Sequence, residues 1–141
     1  AEGYSCALIG TLGMFSGKRR LGGDRLSLSN MTTPDPQTLY SALAEMKRDG
    51  VEYVFMEATS HALALRKLDA LTFEAAVFTN LTAEHLDFHG NMENYFSAKA
   101  KLFSVCKKAI INADADRISD VISAIKDANI KTMENFANSE G

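Results

Sequence analysis

Val51-Glu52-Tyr53-Val54-Phe55-Met56, followed at once by Glu57-Ala58-Thr59-Ser60-His61, is the stretch on which the fold turns. The first six residues read as a strand, and the Val54-Phe55-Met56 run is too continuous for a strand with one face in water, which alternates apolar and polar side chains. Just upstream, Thr33-Pro34-Asp35-Pro36 is a stop-and-start signal, after which Leu39, Leu43 and Met46 repeat at helical spacing until Gly50 ends the element. Ser5-Cys6-Ala7-Leu8-Ile9-Gly10-Thr11 is a second short apolar run closed by glycine, again a buried strand. Between it and the helix the text is Gly- and Arg-rich from Gly13 to Asn30, with alternating Leu26 and Leu28, and fits a hairpin or surface loop.

Downstream, Ala75-Ala76-Val77-Phe78-Thr79 and Ala109-Ile110-Ile111 read as further strands, separated by a helix from about Met92 to Val105. A last helix over about Asp116 to Ala128 carries Ile118, Val121, Ile122 and Ile125. Strands alternating with helices predict an α/β fold with a mostly parallel sheet flanked by helices. The chain shows no internal repeat, low-complexity tract or linker.

The composition fits that class. The chain has 141 residues, 46% of them hydrophobic, and its 15 basic against 18 acidic side chains leave a formal net charge of -3. That excludes a disordered tail, a disulfide miniprotein and a strongly basic nucleic-acid binder. Cys6 and Cys106 stand a hundred residues apart, which suits two reduced thiols in a cytoplasmic protein. No apolar run approaches the roughly 20 residues of a membrane span, so neither membrane insertion nor a nucleic-acid partner is expected. The chain opens at Ala1 without an initiator methionine and stops abruptly at Gly141, which suggests a fragment.

In a parallel sheet, ligands sit beyond the carboxyl ends of the strands. There, Met56 runs into Glu57, with Thr59, Ser60 and His61 beyond; Phe78 runs into Thr79-Asn80; Ile111 runs into Asn112-Ala113-Asp114. Glu57 is the least ordinary of these, because an acid fused to so apolar a strand end is expected to be partly desolvated unless it is paired or bound to a cation. Glu84-His85-Leu86-Asp87-Phe88-His89-Gly90 packs four candidate ligands into a short segment that reads as a loop before a helix starting near Asn91. It lacks both the zinc-protease spacing and a cysteine pair.

The helix after it carries an anomaly. Continuing the apolar ladder of Met92, Tyr95, Phe96, Leu102 and Phe103 lands on Lys99, while Lys101 falls on another face. Lys99 either buries its stem and snorkels its ammonium to water, or is held near metal or phosphate as a reactive amine. Gly17-Lys18 superficially resembles the tail of a phosphate-binding loop. Leu12 replaces its leading glycine, however, and Arg19 its magnesium-binding hydroxyl.

Six segments taken together resemble the central domain of the Mur ligases: Thr32-Thr33-Pro34-Asp35, Met56-Glu57-Ala58-Thr59-Ser60-His61-Ala62-Leu63-Ala64-Leu65, Phe78-Thr79-Asn80-Leu81, His85-Leu86-Asp87-Phe88-His89-Gly90, Tyr95-Phe96-Ser97-Ala98-Lys99 and Ile111-Asn112-Ala113-Asp114. They run in order over almost the whole chain, and the match is closest to the members that add the third residue of the peptidoglycan stem. The resemblance implies part of an ATP-dependent, magnesium-dependent cytoplasmic ligase. In it the carboxylate of UDP-N-acetylmuramoyl-dipeptide is activated as an acyl phosphate and captured by an amino acid. Like-charged reactants must meet, so cations have to neutralise them.

The resemblance further implies that Glu57 and His85 bind magnesium, with His85 also catalytic. It implies that Lys99 is carbamylated by carbon dioxide into an anion that helps hold the metal site, and that Asn80 contacts the nucleotide. Thr32, Thr33, Thr59 and Lys67 would contact the UDP-muramoyl substrate. Thr59 stands where the family usually has Ser, Lys67 where it has Arg, and Glu84 where it has Asp; Lys67 would lose bidentate geometry. The resemblance also places the family's phosphate loop and UDP-binding domain upstream of Ala1, and its C-terminal domain downstream of Gly141. The 141 residues alone are therefore expected to lack ligase activity. Two other readings stand beside this one. The first is a metal-dependent hydrolase using Glu57, His61, His85, Asp87 and His89; the second is a non-catalytic remnant module.

Overall fold

A computed structural model of the chain describes residues 3–22, 31–81 and 86–137. The chain folds as two compact units, Ala1–Ala62 and Leu63–Gly141.

In the first unit, strands β1 (Cys6–Gly10), β2 (Gly13–Ser16), β3 (Arg19–Arg20) and β4 (Tyr53–Met56) form a sheet in the order β3-β2-β1-β4. β1 pairs antiparallel with β2 and parallel with β4, where Ile9 lies opposite Met56. The expected hairpin is present over Gly13–Arg20, turning at Gly17, whose φ of 59° suits a residue without Cβ. Its Leu26 and Leu28 continuation lies outside the described residues.

Helix α1 (Pro36–Arg48) starts where the stop-and-start signal places it. Asp35 caps it, accepting from the Thr38 backbone N at 3.1 Å and the Thr38 hydroxyl at 2.6 Å, and Pro36 occupies the first turn. The helix buries Leu39, Ala42 and Met46, which join Ile9 and Met14 among the unit's buried residues. Arg19 fastens the hairpin to this helix. Its guanidinium reaches Glu45 at 2.7 Å and Asp49 at 2.5 Å, and the Ser16 hydroxyl donates to the same Asp49 oxygen at 2.7 Å. Ser16 and then Arg19 hold the Asp49 carboxyl below its ordinary value.

One expectation fails here. β4 was to be buried on both faces, yet Tyr53, Val54 and Phe55 are all exposed, Phe55 at 61%. The reason is position. β4 is an edge strand of this sheet, paired only with β1, so the apolar run reports its composition and not its burial within this chain.

The second unit holds a three-stranded, wholly parallel sheet in the order β5-β6-β7: β5 (Phe73–Phe78), β6 (Cys106–Asn112) and β7 (Thr132–Phe136). Helix α2 (Ser60–Ala64) precedes it. Between β5 and β6 come the one-turn α3 (Leu86–His89), then α4 (Met92–Ala100) and a 3-10 turn over Lys101–Val105; α5 (Ile118–Asp127) joins β6 to β7. Phe78, Ala109 and Ile111 turn one face of the sheet onto a core completed by Tyr95, Phe103, Val121 and Ile125. The opposite face shows Ala75 and Val77 to solvent.

The fold is therefore α/β with a parallel sheet flanked by helices, as expected, together with a mixed sheet in the first unit. Three local readings are revised. The Leu86–His89 segment is a turn of helix and not a loop. The helix expected to run from Met92 to Val105 tightens to 3-10 geometry after Ala100. β7 was not foreseen, because Thr132-Met133-Glu134-Asn135-Phe136 is exposed along its whole length and lacks an apolar run.

Candidate functional site

The first unit assembles its polar cluster where β1 and β4 end side by side. Parallel pairing carries Gly10 and Met56 to the same edge, and the ladder continues one step further through the Glu57 N–H donated to the Ile9 carbonyl at 2.9 Å. Glu57 therefore emerges beside Thr11. Its Oε2 accepts from the Thr11 hydroxyl at 2.7 Å and from the Thr11 N–H at 3.3 Å. Because that hydroxyl proton is committed to the carboxylate, the 3.1 Å contact between the Thr11 and Thr32 hydroxyls has Thr32 as donor. Beneath the carboxylate lies Gly10: a Cβ there would fall 2.5 Å from Glu57 Oε1. The bare glycine backbone is what lets the acid lie down over the strand end.

Thr33 organises the adjoining turn from a position only 2% exposed. Its hydroxyl donates to the Glu57 carbonyl at 2.8 Å and accepts from the Thr59 N–H at 3.1 Å. With that proton also used, the Thr59 hydroxyl donates to Thr33 at 3.3 Å, while its own oxygen accepts from the Ala62 N–H at 3.2 Å. Thr32, Thr33, Glu57 and Thr59, four of the residues singled out in the sequence, thus form one hydrogen-bonded constellation. Glu57 itself is exposed, not desolvated as its apolar strand suggested; the edge position of β4 leaves it open to water. Magnesium favours a carboxylate or two, other oxygen ligands and retained waters. An exposed carboxylate bonded to the Thr11 hydroxyl, with the Thr32 hydroxyl next in line, offers oxygen donors of that chemistry.

The second unit builds a separate cluster at the carboxyl ends of β5 and β6. Lys99 projects from α4 and donates from Nζ to the Asn80 carbonyl at 2.8 Å. Its nitrogen lies 4.9 Å from the Tyr95 ring centre and 5.6 Å from that of Phe78. The half-buried stem fits the inward face predicted for it. As an ammonium, this group is at home against a carbonyl and two ring faces and would repel a metal ion; only its carbamate has the charge and oxygens of a ligand. The Asn80 side chain is used inside the fold, its Oδ1 accepting from the Leu81 N–H at 2.8 Å and the Asp116 N–H at 3.1 Å. Lys67 is half-buried in the turn following α2. His85 and Glu84 lie outside the described residues.

Nearby, His89 is a core residue. It is buried, its ring centre 4.8 Å from that of Phe88 and 5.2 Å from that of Tyr95, and its carbonyl accepts from Asn94 Nδ2 at 3.0 Å. Asp87 is exposed. Among the described residues no three His, Cys, Asp or Glu side chains come together as a metal ligand set. Both cysteines are free thiols, and burial pushes the Cys106 thiol up.

Thr11 and Gly10 were missed as site residues. Their only signal was their place at the carboxyl end of the first apolar run, the same argument that singled out Glu57.

Residues 3–141 match the Mur ligase middle domain. A UDP-N-acetylmuramoyl-L-alanyl-D-glutamate--2,6-diaminopimelate ligase from Leptospira interrogans is 46% identical over 104 residues, which is 74% of this chain and 19% of that protein. The ligase of the same name from Clostridium perfringens is 38% identical over 130 residues, 92% of this chain and 26% of that protein. A solved structure of a ligase of that name superposes with a TM-score of 0.82 at 28% identity, covering 99% of this chain and 28% of the larger one. The chain thus spans about a fifth to a quarter of the length of the curated relatives it matches. Matched along nearly its whole length by the middle-domain model, the chain belongs to the Mur ligase family.

Proposed function

We propose that the protein carrying this chain is an ATP-dependent ligase of peptidoglycan synthesis. It would join 2,6-diaminopimelate to UDP-N-acetylmuramoyl-L-alanyl-D-glutamate in the cytoplasm. The observation that carries this reading is the constellation of Glu57, Thr11, Thr32, Thr33 and Thr59 at the ends of β1 and β4, in a chain whose relatives bear that name.

The chemistry sets what these residues must do. An oxygen of the dipeptide's carboxylate attacks the γ-phosphorus of ATP and the bond to ADP breaks; the incoming amine then attacks the acyl carbon, phosphate leaves with the bonding pair, and the amine proton goes to solvent. Glu57, with His85, would hold magnesium, which supplies positive charge between the anionic reactants. Thr11 fixes the carboxylate of Glu57 by donating to one of its oxygens, and Thr33 fixes its backbone. Thr32, Thr33 and Thr59 would line the muramoyl substrate's site, with Lys67 supplying a charge and Asn80 a nucleotide contact.

Lys99 would act as a carbamate. Its neutral Nζ bonds to the carbon of carbon dioxide, one C–O π pair becomes carboxylate charge, and the amine proton leaves to solvent. The product is an anion where a cation stood.

The test uses the full-length enzyme with Glu57→Gln, a near-isosteric change that removes the charge but keeps an acceptor for Thr11. Ligation is expected to fall about a hundredfold or more, in line with the removal of a preorganised electrostatic group, and the magnesium midpoint to rise. An unchanged rate with an unchanged midpoint overturns the proposal.

A further inference from the structure

Asn112 closes β6 and is a buried polar side chain that the reading above does not use. Each of its polar groups has a defined partner. Nδ2 donates to the Thr79 carbonyl at 3.1 Å, Oδ1 accepts from the Asp114 N–H at 3.1 Å, and its own carbonyl accepts from the Ala115 N–H at 3.1 Å. It therefore ties the residue leaving β5 to the loop leaving β6. The next residue along β5's exit, Asn80, holds the other half of the same joint: its Oδ1 accepts from Asp116, and its carbonyl receives Lys99 Nζ. The Thr79-Asn80 segment is thereby held from two sides, and the carbonyl against which Lys99 rests has little freedom to turn. Because the Asn112 side chain is itself buried, its two part-buried bonds constrain more than the same contacts made wholly at the surface.

We propose that Asn112 is a positioning residue for Lys99, acting through the Thr79-Asn80 segment. For the ligase this rests on the reading of Lys99 as the carbamate acceptor: the nitrogen must be presented toward the site with its stem fixed before the modification is useful. The hydrogen bonds join Asn112 to Thr79, Asp114 and Ala115, and Lys99 to Asn80. Its part is to fix the carbonyl that fixes the lysine.

The test uses the full-length enzyme in buffer free of carbon dioxide, with brief acetic anhydride labelling read by mass spectrometry. The quantity measured is the labelling of Lys99 relative to the exposed Lys101. In Asn112→Asp, the acceptor for Asp114 is kept while the donor to Thr79 is replaced by a carboxylate oxygen facing a carbonyl. The Lys99 to Lys101 ratio is expected to rise at least threefold. Ala109→Gly, which loosens the same strand without touching the asparagine joint, is expected to leave the ratio within experimental error of the wild type. Asn112→Ser is read in the same way if the aspartate variant does not fold. An unchanged ratio, an equal rise in Ala109→Gly, or failure of both Asn112 variants to fold each overturns the proposal. A separate arm with labelled carbon dioxide looks for the carbamate carbon signal of the wild type and its loss in Lys99→Ala. Its absence from the wild type removes the carbamate reading, while the labelling ratio still decides the role of Asn112.

Discussion

Thr33 shows how much of the first cluster hangs on a single hydroxyl. It is buried, donates to the Glu57 carbonyl and accepts from both the Thr59 N–H and the Thr59 hydroxyl. Thr33→Val keeps the shape and deletes the oxygen, leaving a part-buried backbone N–H and carbonyl without this partner. A loss of about 1–3 kcal/mol in stability is expected, the range for stranding a buried polar group, with Thr33→Ser close to the wild type. Urea unfolding of the two variants side by side checks it; equal midpoints for valine and wild type would show the hydroxyl to be dispensable. At this scale the sequence was partly legible. Glu57, Thr32, Thr33 and Thr59 were singled out and do meet, while the exposure of Glu57 was not foreseen, because an apolar strand says nothing about whether its neighbour on the far side is present. Gly10 was read only as the end of a strand, since the carboxylate that lies over it is supplied by a residue 47 positions later.

At the scale of elements, helix α1 was read almost to the residue. Its signals are local: a capping acid, a proline in the first turn, an apolar ladder and a glycine beyond the last turn. The cap also ties the helix to pH. The Thr38 hydroxyl and then its backbone N–H hold the Asp35 carboxyl below its ordinary value of 3.8. A carboxyl with a lowered native pKa contributes stability that is fully present above the unfolded value and is lost as pH falls through the native one. Asp35→Ala is therefore expected to lower stability by about 1 kcal/mol near neutrality, and this difference from the wild type should shrink steadily with acidification below the ordinary value. Denaturant midpoints of both proteins across the acid range provide the check, and a difference that grows toward low pH would contradict it. β7 is the opposite case. Its side chains are exposed throughout, and it is placed by backbone pairing to β6 and by the Lys108 to Glu134 ion pair at 2.5 Å; neither leaves a periodicity in a single sequence. The 3-10 turn after Ala100 is similarly invisible, since Leu102 and Phe103 continue an apolar stripe whichever helix carries them.

For the whole molecule, the alternation of strands and helices was enough to name the class, because buried runs separated by helical periods leave few arrangements open. It did not reveal that the chain divides after Ala62. No glycine- or proline-rich linker marks the place, and α2 (Ser60–Ala64) runs through it. The two sheets also differ in how their strands find each other. In the first, β1, β2 and β3 follow one another through tight turns and pair antiparallel. In the second, every pairing is parallel and must wait for an intervening helical crossover. Contacts between near neighbours in the chain close quickly, whereas distant parallel pairings must first meet the entropy of a long loop. The order of events on refolding then follows from topology: in pulsed hydrogen exchange on the full-length protein, amides of Met14–Ser16 should gain protection before those of Ala109–Ile111. Simultaneous protection would mean that the hairpin has no independent life. Because the hairpin also precedes the parallel strands along the chain, it can serve as a nucleus while those strands are still being made.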